Sequence, residues 1–521
     1  MRLLLFLCLM CGALTAHAAK RITPAIFPPH SENAAGSEIG YGISDVAAAA
    51  LYQTGAYHHL HLKQVLSLAR HRGWTSAELA TAKMRSAASA LFGAPVGAYG
   101  TVTKTPKGWR LTMTVFKNDR TVPMKMDLPA AASSAVQSGG MALARAIAAL
   151  DSIELAHVDV HPRSASPEAM SAYLACYAVL VRQPMGLRES HVVEAATLAA
   201  ARKRCEEAVK LDASFADAWA ALSLASSLSL QNEQAANALK KARASRAYIP
   251  LTIISEYWLA TRFKSHPAGA AVLRKGLDAH PGSLILLSYL GEHLNITREH
   301  QQSLAVWNRY LAAVEWSPYA LSQKAYSMAR LGSLDDAIAL SREAVAQDPE
   351  NLVVELELAS RLVDAGKLDE AARLLEVMVK KPRVFGEVCS RLGYVYLLQR
   401  RDDAAKSALE RALELATGPS EWRTRGRTRY NLAILMARAG QVESSEEHLL
   451  AAAEEGFALG SALQSNTDLA ALKGRPRVAH LFKKPELNLD PKLLQVSPFL
   501  TDSGGVLRPD APRPTAPGFR F

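Results

Sequence analysis

One spacing governs what this chain can fold into. Small residues recur at a 34-residue interval: Ala201, Ala235, Gly269, Ser303, Ala337, Ala371 and Ala405. Seven positions after them stand Ala208, Ala242, Gly276, Tyr310, Ala344, Met378 and Ala412, most of them small. Between the two sets, four residues after the first, come Cys205, Leu239, Leu273, Trp307, Ser341, Leu375 and Leu409. Positions i, i+4 and i+7 share one helical face, so two small residues with a larger one between them make a seat for a second helix. A second apolar stripe precedes each set, as in Leu287-Leu290-Gly291, Leu358-Ala359-Leu362 and Leu392-Gly393-Tyr396. Gly332, Gly366 and Gly440 close the leading helices, and Pro281 and Pro349 follow the trailing ones. A helical hairpin of this length cannot bury its own apolar face. The hairpins must therefore stack on one another as a superhelical solenoid, which excludes a single compact core over this stretch.

The pattern resembles the tetratricopeptide repeat, with small residues at repeat positions 8, 20 and 27 and proline at 32, over residues 166–456, about eight helix pairs. Three places depart from it: an insert around Gln183–Val193, Tyr257 where a small residue is usual, and six extra residues around Thr417–Ser420. In that family the concave face is lined by first-helix positions 2, 5, 9 and 12. The resemblance implies a groove lined by Trp258, Tyr326, Leu356, Tyr394, Leu397, Tyr430 and Ile434. An apolar, tyrosine-bearing groove suits a partner peptide or helix with hydrophobic anchors. The alternative for each of these side chains is ordinary packing between helices. The Lys and Asn with which some members clamp a terminal carboxylate are nearly absent, which disfavours that ligand.

Outside the repeats the periodicity changes. Met1-Arg2 and the apolar run Leu3–Leu14, with small residues Ala16 and Ala18, have the order of a secretory signal, and the run is too short for a membrane span. The expectation is cleavage near Ala18 and a periplasmic or secreted mature chain. Residues 20–150 read as β-α-β-α-β-β-β-α: a strand at Arg21–Phe27, a helix capped by Ser44 running through Leu51, a strand about His61-Leu62, and a helix from Ser76 to Phe92. A meander of Val96–Thr103, Trp109–Lys117 and Thr121–Leu128 follows, then a last helix over Ala130–Leu150. Pro24 restricts the first strand to an edge or shortens it. This order, carried by Ile22–Phe27, Gly42-Ile43-Ser44-Asp45, Val96–Val102 and Trp109–Phe116, is similar to the TolB amino-terminal-like domain. That likeness implies assembly or interaction in the bacterial envelope and no catalytic residues. The fold class expected is thus α+β, a small α/β sandwich followed by an all-α solenoid. Residues 151–165 read as a linker, 457–486 as a closing element, and 487–521, rich in proline, as a disordered tail.

Composition narrows the function classes. The 521 residues are 49% apolar and 21% charged, which is the balance of a folded chain. The net charge of +11 does not imply nucleic acid, because Lys473–Phe521 alone carries nine basic and four acidic residues. Three cysteines follow the signal, Cys176, Cys205 and Cys389. Cys176 and Cys205 could meet on adjacent helices, but buried free thiols are the expected state. His58-His59-Leu60-His61 is the only histidine cluster. As a strand it would put His59 and His61 on one face, yet no third ligand accompanies them, so solvated or half-buried rings are expected, with no metal. Asp335-Asp336 and Asp402-Asp403 sit where trailing helices begin, which carboxylates stabilise. Arg423, Arg425, Arg427 and Arg429 fan around a helix and read as a solvated surface. No phosphate loop and no nucleophile elbow occurs, and no cofactor is expected. The function expected is a non-enzymatic periplasmic adaptor binding envelope proteins, with neither nucleic acid nor a transmembrane segment. The alternative is an accessory subunit of an envelope enzyme or of a secretion or assembly machine.

Overall fold

The computed structural model describes residues 21–482, apart from 72–73, 156–163, 165, 182–194, 230, 245–249, 264, 315–316, 350, 382–383, 418–420, 458, 460–462 and 464–465. The signal segment, the insert around Gln183–Val193 and the proline-rich tail lie outside the described residues.

The amino-terminal domain holds one four-stranded sheet in the order β1 (Pro24–Ile26), β2 (Val96–Thr105), β3 (Gly108–Lys117), β4 (Arg120–Leu128). β1 is parallel to β2, and the rest is an antiparallel meander. Pro24 begins β1, a three-residue strand at the edge. Helices α1 (Ala34–Gln53) and α4 (Ala132–Leu150) supply the apolar layer on the sheet, with Ile43, Val46, Leu143 and Ile147 buried beside Leu111, Met113 and Val115. Three sequence expectations are corrected here. α1 starts eleven residues earlier than expected, capped by Asn33, whose side chain accepts from the Gly36 amide; Ser44 is buried inside the helix and donates to the Gly40 carbonyl. Two glycines inside α1 are seats for close contact. A Cβ on Gly40 would meet the Pro29 carbonyl at 2.6 Å, and one on Gly42 would meet Leu174 and Val136. The strand expected at His61-Leu62 is also absent. His59 makes only an isolated bridge to Ser283, and α2 (Leu62–His71) follows at once. A 3-10 turn, Glu78–Ala80, precedes α3 (Lys83–Phe92), so the helix expected from Ser76 is broken in two.

Sixteen helices in eight pairs then follow among the described residues: α5 (Pro167–Val181), α6 (Ala195–Leu211), α7 (Ala216–Leu228), α8 (Asn232–Ala244), α9 (Pro250–Phe263), α10 (His266–Ala279), α11 (Leu284–Ile296), α12 (His300–Ala313), α13 (Pro318–Arg330), α14 (Leu334–Gln347), α15 (Leu352–Asp364), α16 (Leu368–Met378), α17 (Gly386–Leu398), α18 (Asp402–Leu415), α19 (Trp422–Arg438) and α20 (Val442–Glu454). The repeated small residues lie in the tight contact of each pair. Ala235, Ala337, Ala371 and Ala405 are fully buried. Where serine replaces alanine it donates across the pair: Ser223 to the Ala235 carbonyl, Ser303 to that of Gly291, and Ser445 to that of Ala433. Tyr257 fits where a small residue is usual because Gly269 faces it; a Cβ there would lie 3.3 Å from the tyrosine ring. Gly291 likewise makes room for Trp307, 2.5 Å from where its Cβ would be. Gly332, Gly366 and Gly440 end leading helices at positive φ, and Arg298 and Arg400 hold the same left-handed turn in neighbouring repeats. Cys176 and Cys205 form a disulfide across the first pair, which corrects the expectation of free thiols; adjacent helices bring their Cα atoms to 5.5 Å. Cys389 is free and buried. Behind α20, Leu469, Leu472 and Val478 pack on the end of the array.

Candidate functional site

The leading helices α5 to α19 should carry a partner-binding groove, and the structure places two different things there. Over the first half it places the sheet domain. Asp45 of α1 accepts from the Tyr177 hydroxyl of α5 at 2.7 Å. The segment from Tyr57 to Gln64 reaches further: the His59 amide donates to Gly282 O at 3.2 Å, Lys63 Nζ to the Tyr289 hydroxyl at 3.2 Å, and Gln64 Nε2 to the Tyr310 hydroxyl at 3.1 Å. Thr23 Oγ1 donates to the Ala313 carbonyl. The same apolar core runs without a break from β1 through to Ala320. As a result α11 is enclosed from Leu284 to Asn295, with every residue buried.

Histidines crowd this seam. His59 and His61 are buried, their rings 5.6 Å apart, and Tyr52 lies 5.6 Å from His59 on its α1 side. This corrects the expectation of solvated or half-buried rings, since folding carries His59 and His61 under the helical array. Burial, reinforced by His280, pulls His59 down to about 4. Burial pushes His61 well below its ordinary value, with His59 and Lys63 adding to the effect. Among the described residues no group of three or more histidine, cysteine or acidic side chains could hold a metal ion.

The second half carries a ladder of ion pairs. Arg361, almost wholly buried, reaches Asp364 at 3.3 Å and Glu357 at 3.4 Å, and Arg330 reaches the same Asp364 at 3.5 Å. Arg391 donates to Glu387 at 2.7 Å and to Ser360 Oγ at 3.0 Å, and Arg427 also pairs with Glu387. Burial works against the charge on Glu387, but Arg427 and Arg391 outweigh it and hold the carboxyl at about 2. Sequence reasoning missed this ladder, although Glu357/Arg361 and Glu387/Arg391 stand at i, i+4 on successive leading helices. Two members of the arginine fan are therefore paired: Arg427 here, and Arg425 with both oxygens of Glu455 at 2.7 Å. A set of cations so matched offers no free clamp for an anion.

The seven groove residues expected from sequence are not accessible as a lining. Trp258 is half-buried; Tyr326, Leu356, Tyr394, Leu397, Tyr430 and Ile434 are buried. The guanidinium groups of Arg330 and Arg361 each lie 5.0 Å from the centre of the Tyr326 ring. Tyr430 packs on Phe457 and its hydroxyl accepts from Asn466 Nδ2 at 3.2 Å. Leu356, Leu397 and Ile434 belong to the second apolar core, which begins at Ile338. Leading helices of successive repeats pack closely enough to use these side chains as their own core.

The tetratricopeptide repeat family profile matches residues 329–384, the stretch from the end of α13 to the turn before α17. That match takes in α14, α15 and α16 of the array. Among solved structures the chain is similar to a tetratricopeptide repeat protein from Parabacteroides merdae, at 12% identity over 55% of this chain and 100% of that one, TM-score 0.39. It is similar also to yeast Tom70, at 16% identity over 63% and 69%, TM-score 0.44. A third is the human IFIT1 dimer with m7Gppp-AAAA, at 12% identity over 61% and 79%, TM-score 0.38. None of these brings a ligand to this chain. Comparison with curated proteins gives no match. Among the described residues no helix is long and apolar enough to cross a membrane.

Proposed function

We infer that this chain is an exported protein-interaction scaffold of the bacterial cell envelope, which holds partner proteins together and has no catalytic centre of its own. The observation that carries this reading is the stack of eight helical hairpins with a second, unlike domain hydrogen-bonded onto it. Tetratricopeptide folds are generally protein-interaction folds. The Cys176–Cys205 bond suits an oxidising compartment, in keeping with the signal-like start of the chain. The sheet domain, through its likeness to TolB amino-terminal-like domains, takes one envelope partner, and the repeats take another. Because the inner apolar side chains are packed, a partner of the repeats meets exposed charged groups such as Arg342, Lys367 and Arg411. Its binding should weaken as salt rises.

The test is expression of the full chain in a Gram-negative host, followed by osmotic-shock fractionation and cross-linking in the shock fluid. The expected product begins just after Ala18 and cross-links through exposed repeat residues, less so at high salt. Retention in the cytoplasm with residues 1–18 attached would refute the assignment to the envelope. Turnover of a substrate by the purified chain would refute the scaffold reading.

A further inference from the structure

The seam between the sheet domain and the repeats gathers four histidines, with His59 and His61 buried and His58 and His280 half-buried. His58, His59 and His61 come from the segment before α2, and His280 comes from the turn before α11. His59 is 5% exposed, and its Nε2 has no hydrogen-bond partner. Tyr52 lies between His59 and His280, 5.6 Å from one ring and 6.4 Å from the other. The charged groups facing the cluster are few: two are cations, which oppose imidazolium, and each carboxylate is engaged with a tyrosine. Arg21 sits over the Tyr52 ring and beside Gly282, and Lys63 begins α2. From α1, Asp45 Oδ1 stands 3.9 Å from His61 Nε2, but the same oxygen accepts from Tyr177 of α5. Asp217 of α7 acts on Tyr177, and Glu292 of α11 acts on Tyr257 and accepts from the Tyr319 hydroxyl. Tyr57, on the histidine segment itself, is committed to Asp151, which also pairs with Lys117.

We propose that His59, His61 and His280 form an acid-sensitive latch: neutral, their rings hold the sheet domain against the repeats, and protonation releases it while the repeats stay folded. Two things distinguish this seam from a general acid weakness. The histidines sit where the sheet domain meets the repeats, whereas the second half of the array has an apolar core of its own and holds its carboxylates in arginine pairs. The docked state also binds fewer protons than the released one, so docking strengthens as pH rises. For His59, neutral when docked down to about 4, the penalty starts as pH falls through the ordinary histidine value of about 6.5 and levels off near 4. At pH 5 that ring alone makes docking about 20-fold weaker than at pH 7.

The experiment follows the full mature chain by small-angle X-ray scattering and far-UV circular dichroism from pH 7.5 to 4.5. The radius of gyration should rise between about pH 6 and 5 with the helical signal unchanged. His59→Phe, which keeps the ring volume and removes the charge, should remain compact at pH 5; His280→Gln should move the transition to lower pH and serves if His59→Phe does not dock. Three results would overturn the latch: an unchanged radius down to pH 4.5, an expansion accompanied by loss of helix, or the same transition in both variants.

Discussion

The two halves of the repeat array solve one problem by opposite means. A leading helix has an inner face that no trailing helix covers. From α5 to α11 that face is covered by another domain, and a single apolar core runs from the sheet into the repeats as far as Ala320. From α13 onward no other domain arrives. The leading helices there close on one another, with tyrosines and leucines as core and with the ladder Arg330–Asp364–Arg361 and Arg391–Glu387–Arg427 facing inward. A polar belt on α11–α13, in which Ser327 Oγ donates to Asn295 Oδ1 at 2.8 Å and Ser303 and Gln323 are buried beside it, divides the two cores. Repeats alike in backbone therefore differ in which part of the molecule completes them.

Four substitutions bear on that contrast. Ala371→Asp places an unpaired charge in the fully buried contact of α16 and should cost the second half about 4–5 kcal/mol, read as loss of its helical signal in urea. An equal loss of the sheet domain's near-ultraviolet signal at the same denaturant concentration would mean that the halves are one cooperative unit. Tyr430→Ala should cost about 3–4 kcal/mol by emptying a fully buried ring site. Were its stability unchanged, the ring would belong to an open groove. Glu387→Gln should cost about 2–3 kcal/mol at neutral pH by leaving Arg391 and Arg427 without their carboxylate. The native carboxyl is held down at about 2, so its contribution is present above the unfolded value of 4.5 and is lost as pH falls from there toward 2. Wild type and variant should therefore converge in acid, and a constant difference would remove the ion pair from the account. Tyr310→Phe deletes the partner of Gln64 Nε2 and should loosen the seam by about 1 kcal/mol, with little effect on α15–α20. Amide exchange confined to 57–64 and α11–α12 would be the signature.

The sequence was informative where one physical cause acts locally. Ala337, Ala371 and Ala405 are small because helices touch there, and spacing alone reveals it. Pro24 restricts β1 through its missing N–H, again a local matter. What was illegible depended on distant parts of the chain. Ser44 read as a cap, yet α1 runs from Ala34 through Gly40 and Gly42, where Pro29 and Leu174 need the space. His59 and His61 read as a wet strand, yet the turn at Gly282 covers them. The groove residues were placed on the right helices and the wrong side of the surface. A repeat register tells which side chains share a stripe, whereas superhelix tightness decides whether that stripe is open.

The Cys176–Cys205 bond ties α5 to α6 with 29 residues of separation. Everything between the two sulfurs is thereby optional to the continuity of the molecule: a protease that severs the stretch joining those helices divides the backbone without dividing the protein. The leading hairpin, on which the sheet domain rests, keeps both its strands of connection until a reductant is added.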